Sequence, residues 1–141
     1  MEQRLTIIGL GVNDLEKATK FYEEKFGWKK AASSSDSITF LQLNGILLSL
    51  YPSDKLAEDA TISAEGSGFK KFTLAYNTRS KEEVDVLFAD LESKGVKIVK
   101  KPEEVFWGGY SGYVADLDYN LWEIAFNPFL PLDDKGNAIH E

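Results

Sequence analysis

Two stretches of helical periodicity, each followed by a glycine, constrain the fold of this chain more than any other feature. Apolar residues recur at spacings of three and four before Gly27 and again before Gly95, as expected for amphipathic helices with glycine stops. The apolar positions are Leu15, Ala18, Phe21, Tyr22 and Phe26 in the first stretch, and Val84, Leu87, Phe88 and Leu91 in the second. Asn13 with Glu16, and Ser80 with Glu83, resemble capping boxes at the two helix starts.

Short β-like runs surround each helix and give the order β-α-β-β-β twice. An Asn44-Gly45 pair between two of these runs is a tight hairpin signal. Leu10 and Leu74 occupy matching positions in the strands that precede the helices. The order of elements therefore indicates an internal duplication, although few residues are identical between the halves. The predicted strands are 5–12, 38–43, 46–51, 69–77, 96–100, 110–115 and 121–126.

The duplication predicts one α+β domain made of two βαβββ modules. Module one covers about residues 4–52, a polar linker about 53–67, module two about 68–128, and a C-terminal tail 129–141. One helical turn near residues 55–59 is expected inside the linker. Two small sheets placed edge to edge are expected to form a curved, eight-stranded half-barrel, with the helices on its convex face and a ligand cavity on its concave face.

Composition excludes several kinds of chemistry. The 141 residues contain no cysteine, so disulfides, thiolate nucleophiles and cysteine metal sites are impossible. The one histidine, His140, lies in a polar tail predicted to be disordered, which argues against sites that need two imidazoles. The net charge of -7 disfavours nucleic-acid binding. Without a secretory signal or a long apolar run, the chain is expected to be cytoplasmic and not to bind membranes.

Two separated motifs resemble the vicinal oxygen chelate superfamily, which includes glyoxalase I, extradiol dioxygenases and bleomycin-resistance proteins. The first is Gly11-Val12-Asn13-Asp14-Leu15, followed by Phe21-Tyr22 and Phe26-Gly27-Trp28. The second runs from Asp116 to Glu123 and is similar to the closing Asp-Pro-Asp-Gly turn and glutamate strand of that family. Here Leu117 replaces the proline and Tyr119 the glycine, and we expect Asn120 to supply the left-handed residue of the turn.

The resemblance implies four positions at which relatives hold a metal. Carried over to this chain, they fall near Ile7, Ser49, Phe72 and Glu123. Two of these are hydrocarbon side chains, one is a hydroxyl and one is a carboxylate, whereas a catalytic cation needs about three protein donors. We therefore expect no bound metal and no cofactor.

Strand alternation predicts which side chains enter the concave cavity. Glu123 is expected to face it with Leu121 and Ala125, while Trp122 and its alternating neighbours face the helices. Phe72, Leu74 and Tyr76 share one face of the strand before the second helix, and we expect them to face the cavity as well. The residues predicted to contact a ligand are Ser49, Phe72, Tyr76, Trp107, Gly108, Tyr110 and Glu123.

Two of these predictions have structural alternatives. The paired glycines and flanking aromatics of Trp107–Tyr110 are typical of a ligand-stacking loop, and equally of a hairpin whose rings pack on the sheet. Glu123 is suited to anchor a cationic ligand or to act as a general base, or it is a structural acid bonded to Tyr110, Tyr113 or a turn.

The expected function is metal-independent binding of a small aromatic or cationic organic molecule, as in bleomycin-resistance proteins, with a homodimer implied by the resemblance. Cation–π contacts and the acidic surface suit such a ligand. Whether the protein is an enzyme stays open. The alternatives are a glyoxalase-like lyase, isomerase or dioxygenase-type enzyme with an atypical metal site, a metal-free enzyme using Glu123 as its base with Tyr110 or Tyr113 as proton donor, and a regulatory module that binds a protein.

Overall fold

A computed structural model describes residues 1–139, and the chain divides into two compact units. The first unit is Met1–Gly68 and the second begins at Phe69. Each unit contains one mixed β-sheet and a long amphipathic helix, which confirms the α+β class. His140, predicted to be disordered, lies outside the described residues.

The first unit is a three-stranded sheet with two helices. Its central strand pairs in parallel with the first strand and antiparallel with the second. In chain order the elements are β1 (Ile7–Val12), α1 (Leu15–Lys25), β2 (Thr39–Gln42), β3 (Leu47–Pro52) and α2 (Ser53–Asp59). The short helix α2 contacts β1 and β3 and fills the start of the predicted linker, where one helical turn was expected.

Helix α1 packs on one face of this sheet. Leu48 and Leu50 of β3 are fully buried, and Thr39, the register partner of Leu50, shares a 2.7 Å hydrogen bond with Thr19 of α1. The helix cap differs from the prediction, because Asp14 rather than Asn13 accepts the hydrogen bond from the backbone of the first turn, at 3.0 Å from the Lys17 nitrogen. Both residues are good caps, so the sequence alone did not fix the starting position.

The second unit is a four-stranded sheet crossed by one long helix. The strand order is β4-β7-β6-β5, with β4 parallel to β7 and the other pairs antiparallel. Its elements are β4 (Leu74–Thr78), α3 (Lys81–Ser93), β5 (Lys97–Glu104), β6 (Tyr110–Ala115) and β7 (Leu121–Phe126). Ser80 caps α3 by accepting from the Glu83 nitrogen at 3.2 Å, and the left-handed Gly95 follows its end, as predicted.

Seven strands, not the predicted eight, form within residues 1–139. The order β-α-β-β-β requires one strand more in module one than the runs named above, and between α1 and β2 the structure has a single bridge from Lys30 to Leu41. A serine-rich turn follows at once, in which the Ser35 nitrogen donates to the Ile38 carbonyl at 2.8 Å, so the chain reverses before a ladder can extend.

Strand β4 begins later than predicted, at Leu74 rather than residue 69. Gly68 and Lys71 both have positive φ angles, of 92° and 64°, and these interrupt the extended conformation that a ladder needs. Among residues 1–139, no helix combines the length and the apolar character required to cross a bilayer.

The turn between β6 and β7 is built on one buried carboxylate. Asp116 accepts from the backbone nitrogens of Asp118 and Asn120 at 2.9 and 2.8 Å, and from the Asn120 side-chain amide at 2.8 Å. Asp133 and Asn137 repeat this arrangement in the C-terminal tail, with 2.8 Å bonds from the Asn137 backbone and side-chain amides. The tail therefore contains a second copy of the same loop.

The left-handed residue of the first copy is Tyr119, with φ of 58°, and not Asn120 as predicted. Gly136 holds the corresponding place in the second copy, with φ of 83°. Asn120 is instead committed to Asp116 through both its backbone and its side chain, which leaves the left-handed position to its neighbour.

Candidate functional site

Strand β7 presents two chemically different faces. Ile124 pairs with Gly112, where a Cβ atom would lie 2.6 Å from the Phe88 ring of α3, so this face is the one covered by the helix. Trp122 and Ile124 are accordingly buried. Glu123 alternates with them and lies on the opposite face with Leu121 and Ala125, as predicted.

Glu123 accepts a hydrogen bond from its cross-strand partner on β6. The Tyr113 hydroxyl donates to Glu123 Oε2 at 2.7 Å, and both side chains are partly buried. This bond is the largest cause, and burial the second, of the raised pKa of Tyr113, which is about 12. The phenol therefore keeps its proton at neutral pH. The tyrosine contact left open by the sequence is therefore present, and it engages one of the two carboxylate oxygens.

No positive side chain among residues 1–139 forms an ion pair with Glu123. Lys100 is the β5 register partner of Tyr113, but its ammonium group pairs with Glu103 at 2.8 Å. Within the described part of the chain, Glu123 Oε1 makes no hydrogen bond. The site thus holds a carboxylate with one oriented oxygen and one oxygen available to a ligand.

Several neighbours of this carboxylate on the same face are small or polar. Ala75 of β4 is the register partner of Glu123 on the side away from Tyr113. Two residues along β7, Ala125 lies between Ser111 of β6 and Asn77 of β4. Ser111 and Asn77 were missed by the sequence analysis, although strand alternation from Glu123 would have pointed to the residues around Ala125.

The prediction that Leu74 and Tyr76 share the face of Glu123 is wrong. Their register partners on β7 are Trp122 and Ile124, so both lie on the helix-covered face, where Tyr76 is 49% exposed. Phe72 has the same alternation but precedes β4, and it is also exposed. A register error of one residue moves every side chain of a strand to the other face.

Tyr110 also lies on the helix-covered face, in alternation with Gly112. Its hydroxyl donates to Asp85 of α3 at 2.6 Å, and this bond raises the pKa of Tyr110 to about 12. The ammonium group of Lys81 lies 6.0 Å from the centre of the Tyr110 ring. The structure therefore separates Tyr110 from Glu123, so that of the two tyrosines considered as partners of Glu123, Tyr113 is the one bonded to it.

Trp107 and Gly108 form the tip of the β5–β6 hairpin. The Gly108 nitrogen donates to the Val105 carbonyl at 2.9 Å, and Gly108 has a φ of 98°, which suits glycine. A Cβ atom on Gly109 would lie 2.1 Å from the indole of Trp107, so the ring packs on its own hairpin and keeps 42% of its surface exposed. Ligand contact by Trp107 and Gly108 stays a prediction.

Ser49 lies on the face of the first sheet opposite α1. It pairs with Gly9, where a Cβ atom would lie 3.4 Å from the Ser49 hydroxyl oxygen, and it is 6% exposed. Ile7 lies on the same face, two residues before Gly9. A role for Ser49 in ligand contact stays a prediction.

The four positions implied by family resemblance do not fit a divalent catalytic cation. Ile7 and Phe72 have no donor atoms, Ser49 has a neutral hydroxyl, and Glu123 already accepts a hydrogen bond from the Tyr113 hydroxyl. The residues from 1 to 139 include no cluster of three or more His, Asp or Glu side chains able to hold a metal. That no metal binds in solution stays a prediction.

Comparison with known proteins identifies relatives along almost the whole chain. The family model described as Glyoxalase/Bleomycin resistance protein/Dioxygenase superfamily matches residues 4–124. The Bacillus subtilis (strain 168) protein named "Uncharacterized protein YraH" is 32% identical over 126 residues, which cover 86% of this chain and 96% of that protein.

Solved structures give the same result. A glyoxalase-related enzyme from Fulvimarina pelagi is 35% identical, with a TM-score of 0.86 over 99% of each chain. Lactoylglutathione lyase from Agrobacterium tumefaciens shares the fold, with 20% identity, a TM-score of 0.70, and 90% of this chain and 96% of the other covered.

Proposed function

Because this chain belongs to the Glyoxalase/Bleomycin resistance protein/Dioxygenase superfamily, we propose that it binds a small organic cation carrying an aromatic or other apolar group, without a metal. The binding site is the face of the second sheet that carries Tyr113 and Glu123. The proposal rests on one observation above all: Glu123 has one oxygen held by Tyr113 and forms no ion pair among the described residues.

A cation is the ligand that this carboxylate suits. A primary ammonium group that reaches Glu123 Oε1 would form a charge-assisted hydrogen bond, which is stronger than a neutral one. The Tyr113 ring, next to the carboxylate, offers a π surface to the same cation or to an aromatic group attached to it. The net charge of -7 further favours the approach of cations at low ionic strength.

Ala75 leaves space for the apolar part of the ligand, because it is exposed. It is the register partner of Glu123 on β4 and lies on the same face. A methyl group extends little from the sheet, so a ring placed over Ala75 meets no larger side chain at that position. A small side chain beside one carboxylate suits a compact ligand.

The test compares amines with neutral molecules of the same shape. We expect 2-phenylethylamine and related aryl-alkyl amines to bind at low ionic strength, as measured by isothermal titration calorimetry. The corresponding alcohols, such as 2-phenylethanol, should bind with an affinity lower by about tenfold or more, because they lack the charge-assisted hydrogen bond. Glu123→Gln should remove this preference.

Glu92→Gln is the matched control, because it removes the same charge from an exposed position on α3. It should leave the preference for amines intact. Equal binding of amines and alcohols, an unchanged preference in Glu123→Gln, or no binding by any amine would contradict the proposal.

The Tyr113–Glu123 hydrogen bond also supports an alternative function, a metal-free acid–base enzyme, because the phenol and the carboxylate lie 2.7 Å apart. The same amines incubated with the protein distinguish the two functions. Binding without turnover leaves the mass of the amine unchanged in mass spectrometry, whereas a new product that disappears in Glu123→Gln identifies an enzyme.

A further inference from the structure

Strand β5 leaves regular pairing twice, once on each side of Lys100. Its register with β6 shifts between Ile98 and Lys100 and again between Lys100 and Glu103. Each shift places one extra residue on β5, as in a β-bulge, and bulges are frequent beside functional sites, where they redirect a side chain. Because β5 is the edge strand of its sheet, it tolerates Pro102, which has no N–H group to donate, inside the second bulge.

The consequence of the first bulge is a lysine beside Tyr113. In an uninterrupted ladder the partner of Tyr113 would be Val99, whereas in the structure it is Lys100. Register partners lie on the same sheet face, so Lys100 joins the face that carries Tyr113 and Glu123. The bulge therefore places a positively charged side chain where regular pairing would place an apolar one.

One row of side chains crosses all four strands on this face. From β4 to β5 the row consists of Ala75, Glu123, Tyr113 and Lys100. Glu123 and Lys100 are two strands apart, which corresponds to about 9.6 Å between their backbones, and Tyr113 stands between them. Ala75 and Lys100 are exposed and the two residues between them are partly exposed, so a ligand can reach every position of the row.

Lys100 keeps hydrogen-bonding capacity for a ligand. Its ammonium group lies 2.8 Å from a Glu103 carboxylate oxygen, and the two side chains are 47% and 59% exposed. An ion pair this exposed contributes little to stability, and an ammonium group has three N–H donors. Lys97 lies on the same face, because its partner Ala115 also pairs with Leu121. The β5 edge of the face therefore offers positive charge to a ligand anion.

We propose that the ligand is a zwitterion: its ammonium group binds Glu123, its carboxylate binds Lys100, and one aromatic ring between them lies over Tyr113. The ligand class is thereby narrowed to aryl-alkyl amines that carry a carboxylate at the far end of the ring. This inference rests on the proposed function, because Glu123 binds the amine end. Ala75 accepts the apolar part of amines that lack a carboxylate, whereas a carboxylate selects the Tyr113 side of Glu123.

2-Phenylethylamine and 4-(2-aminoethyl)benzoic acid form the matched probe pair, since they differ only in a ring carboxylate opposite the amine arm. We expect the wild-type protein to bind the carboxylated amine about threefold to fivefold more tightly in calorimetry at low ionic strength, as expected for one exposed ion pair. Lys100→Gln should remove this preference without weakening the binding of 2-phenylethylamine. Lys94→Gln, which removes the same charge from an ion pair with Asp90 at the end of α3, should keep the preference.

Glu103→Gln tests the inference in the opposite direction. Glu103 competes with the ligand carboxylate for the Lys100 ammonium group, so its removal should increase the preference for the carboxylated amine about twofold or more. Both Lys100→Gln and Glu103→Gln break the same ion pair. A Lys100 that only stabilises β5 would therefore give the same change in both variants, whereas a Lys100 that binds the ligand gives changes of opposite sign.

The outcomes separate this inference from the proposed function. If the wild-type protein prefers 2-phenylethylamine to 2-phenylethanol but binds the carboxylated amine no more tightly, the inference is wrong and the proposed function stands. The same conclusion follows if the preference for the carboxylated amine survives Lys100→Gln. Glu123→Gln should weaken both amines. If it changes the affinity of neither, or if neither amine binds the wild-type protein, both the inference and the proposed function are wrong.

Discussion

Tyr113 makes the hydrogen bond that raises its own pKa, so its titration reports on Glu123. We expect Glu123→Gln to lower the pKa of Tyr113 from about 12 towards the ordinary value of 10.0, because donation to the carboxylate is the largest cause of the shift. Ultraviolet titration of the phenolate measures it. Asp85→Asn is the control: it should lower the pKa of Tyr110 and leave that of Tyr113 in place.

The same two tyrosines give stability a dependence on alkaline pH. Because the folded-state pKa values of Tyr110 and Tyr113 are raised, the folded chain holds protons that the unfolded chain releases above pH 10. Their contribution is complete below that pH and is lost as the pH rises towards 12. Urea unfolding at several alkaline pH values should show a smaller decline in Tyr113→Phe, and an identical decline would contradict this account.

At the residue level, the sequence predicted the sheet face of Glu123 correctly and the faces of its neighbours only in part. Alternation along β7 gave the right face for Glu123 and Trp122, because a buried aromatic and an acid cannot exchange places. The face of Tyr76 was wrong because Phe72 was taken as the reference. The match of Leu74 to the buried Leu10 would have assigned the strand correctly, because Leu74 pairs with Trp122 on the face covered by the helix.

At the level of single elements, a glycine-to-alanine substitution is expected to destabilise the protein much more at Gly112 of β6 than at Gly109 of the preceding hairpin. Gly112→Ala would place a Cβ 2.6 Å from the Lys100 carbonyl oxygen and from the Phe88 ring, so the backbone of β5 must move. We expect a loss of about 1–3 kcal/mol in the free energy of unfolding, measured in urea.

For Gly109→Ala, by contrast, the nearest atoms all belong to the indole of Trp107, a side chain that can rotate away. The substitution should cost under about 1 kcal/mol and shift tryptophan emission towards longer wavelengths as the ring becomes more exposed. A Gly112→Ala variant as stable as Gly109→Ala would contradict the packing of α3 against β6.

The two copies of the aspartate-based loop are also expected to differ in how much they stabilise the protein. Asp116 is buried, so Asp116→Ala leaves two backbone amides and the Asn120 side chain without their acceptor, and we expect a loss of about 1–3 kcal/mol in urea unfolding. Asp133→Ala breaks the same pattern in a solvated tail and should cost much less. Equal losses would show that the tail copy is as important to stability as the first.

Helices were more predictable than strands. Helical periodicity and glycine stops located α1 and α3 to within a few residues, because both signals are local. Between α1 and β2 only a single bridge forms, and β4 starts later than predicted, since strand length depends on pairing partners and on the positive φ of Lys71. Neither the partner nor that angle is visible in local sequence.

At the scale of the whole molecule, family resemblance led us to expect a homodimer. Light scattering coupled to gel filtration should give twice the chain mass of 15.8 kDa. Phe129, which is 73% exposed in the C-terminal tail, is an apolar side chain that a second copy could cover. Phe129→Ser should then lower the measured mass, whereas Val86→Ser on α3 should not; a monomeric wild type would contradict the expectation.

Composition decided more about chemistry than about shape. The absence of cysteine and the single histidine limit metal donors whatever the fold, so that argument needed no register. The choice of ligand needed the strand pairing of the second unit, because only that pairing shows that Tyr113 bonds Glu123 and that Ala75 lies beside them.

One face of β7 packs against α3 and the other carries the candidate binding site, which makes the protein a practical starting point for redesign. Residues that contact α3 alternate with those on the face of Glu123, so exchanging the exposed Ala75 for other small side chains changes the space offered to a guest while the hydrophobic packing on the helix side stays as it is. A library confined to exposed positions of this face would explore new guests with few unfolded members.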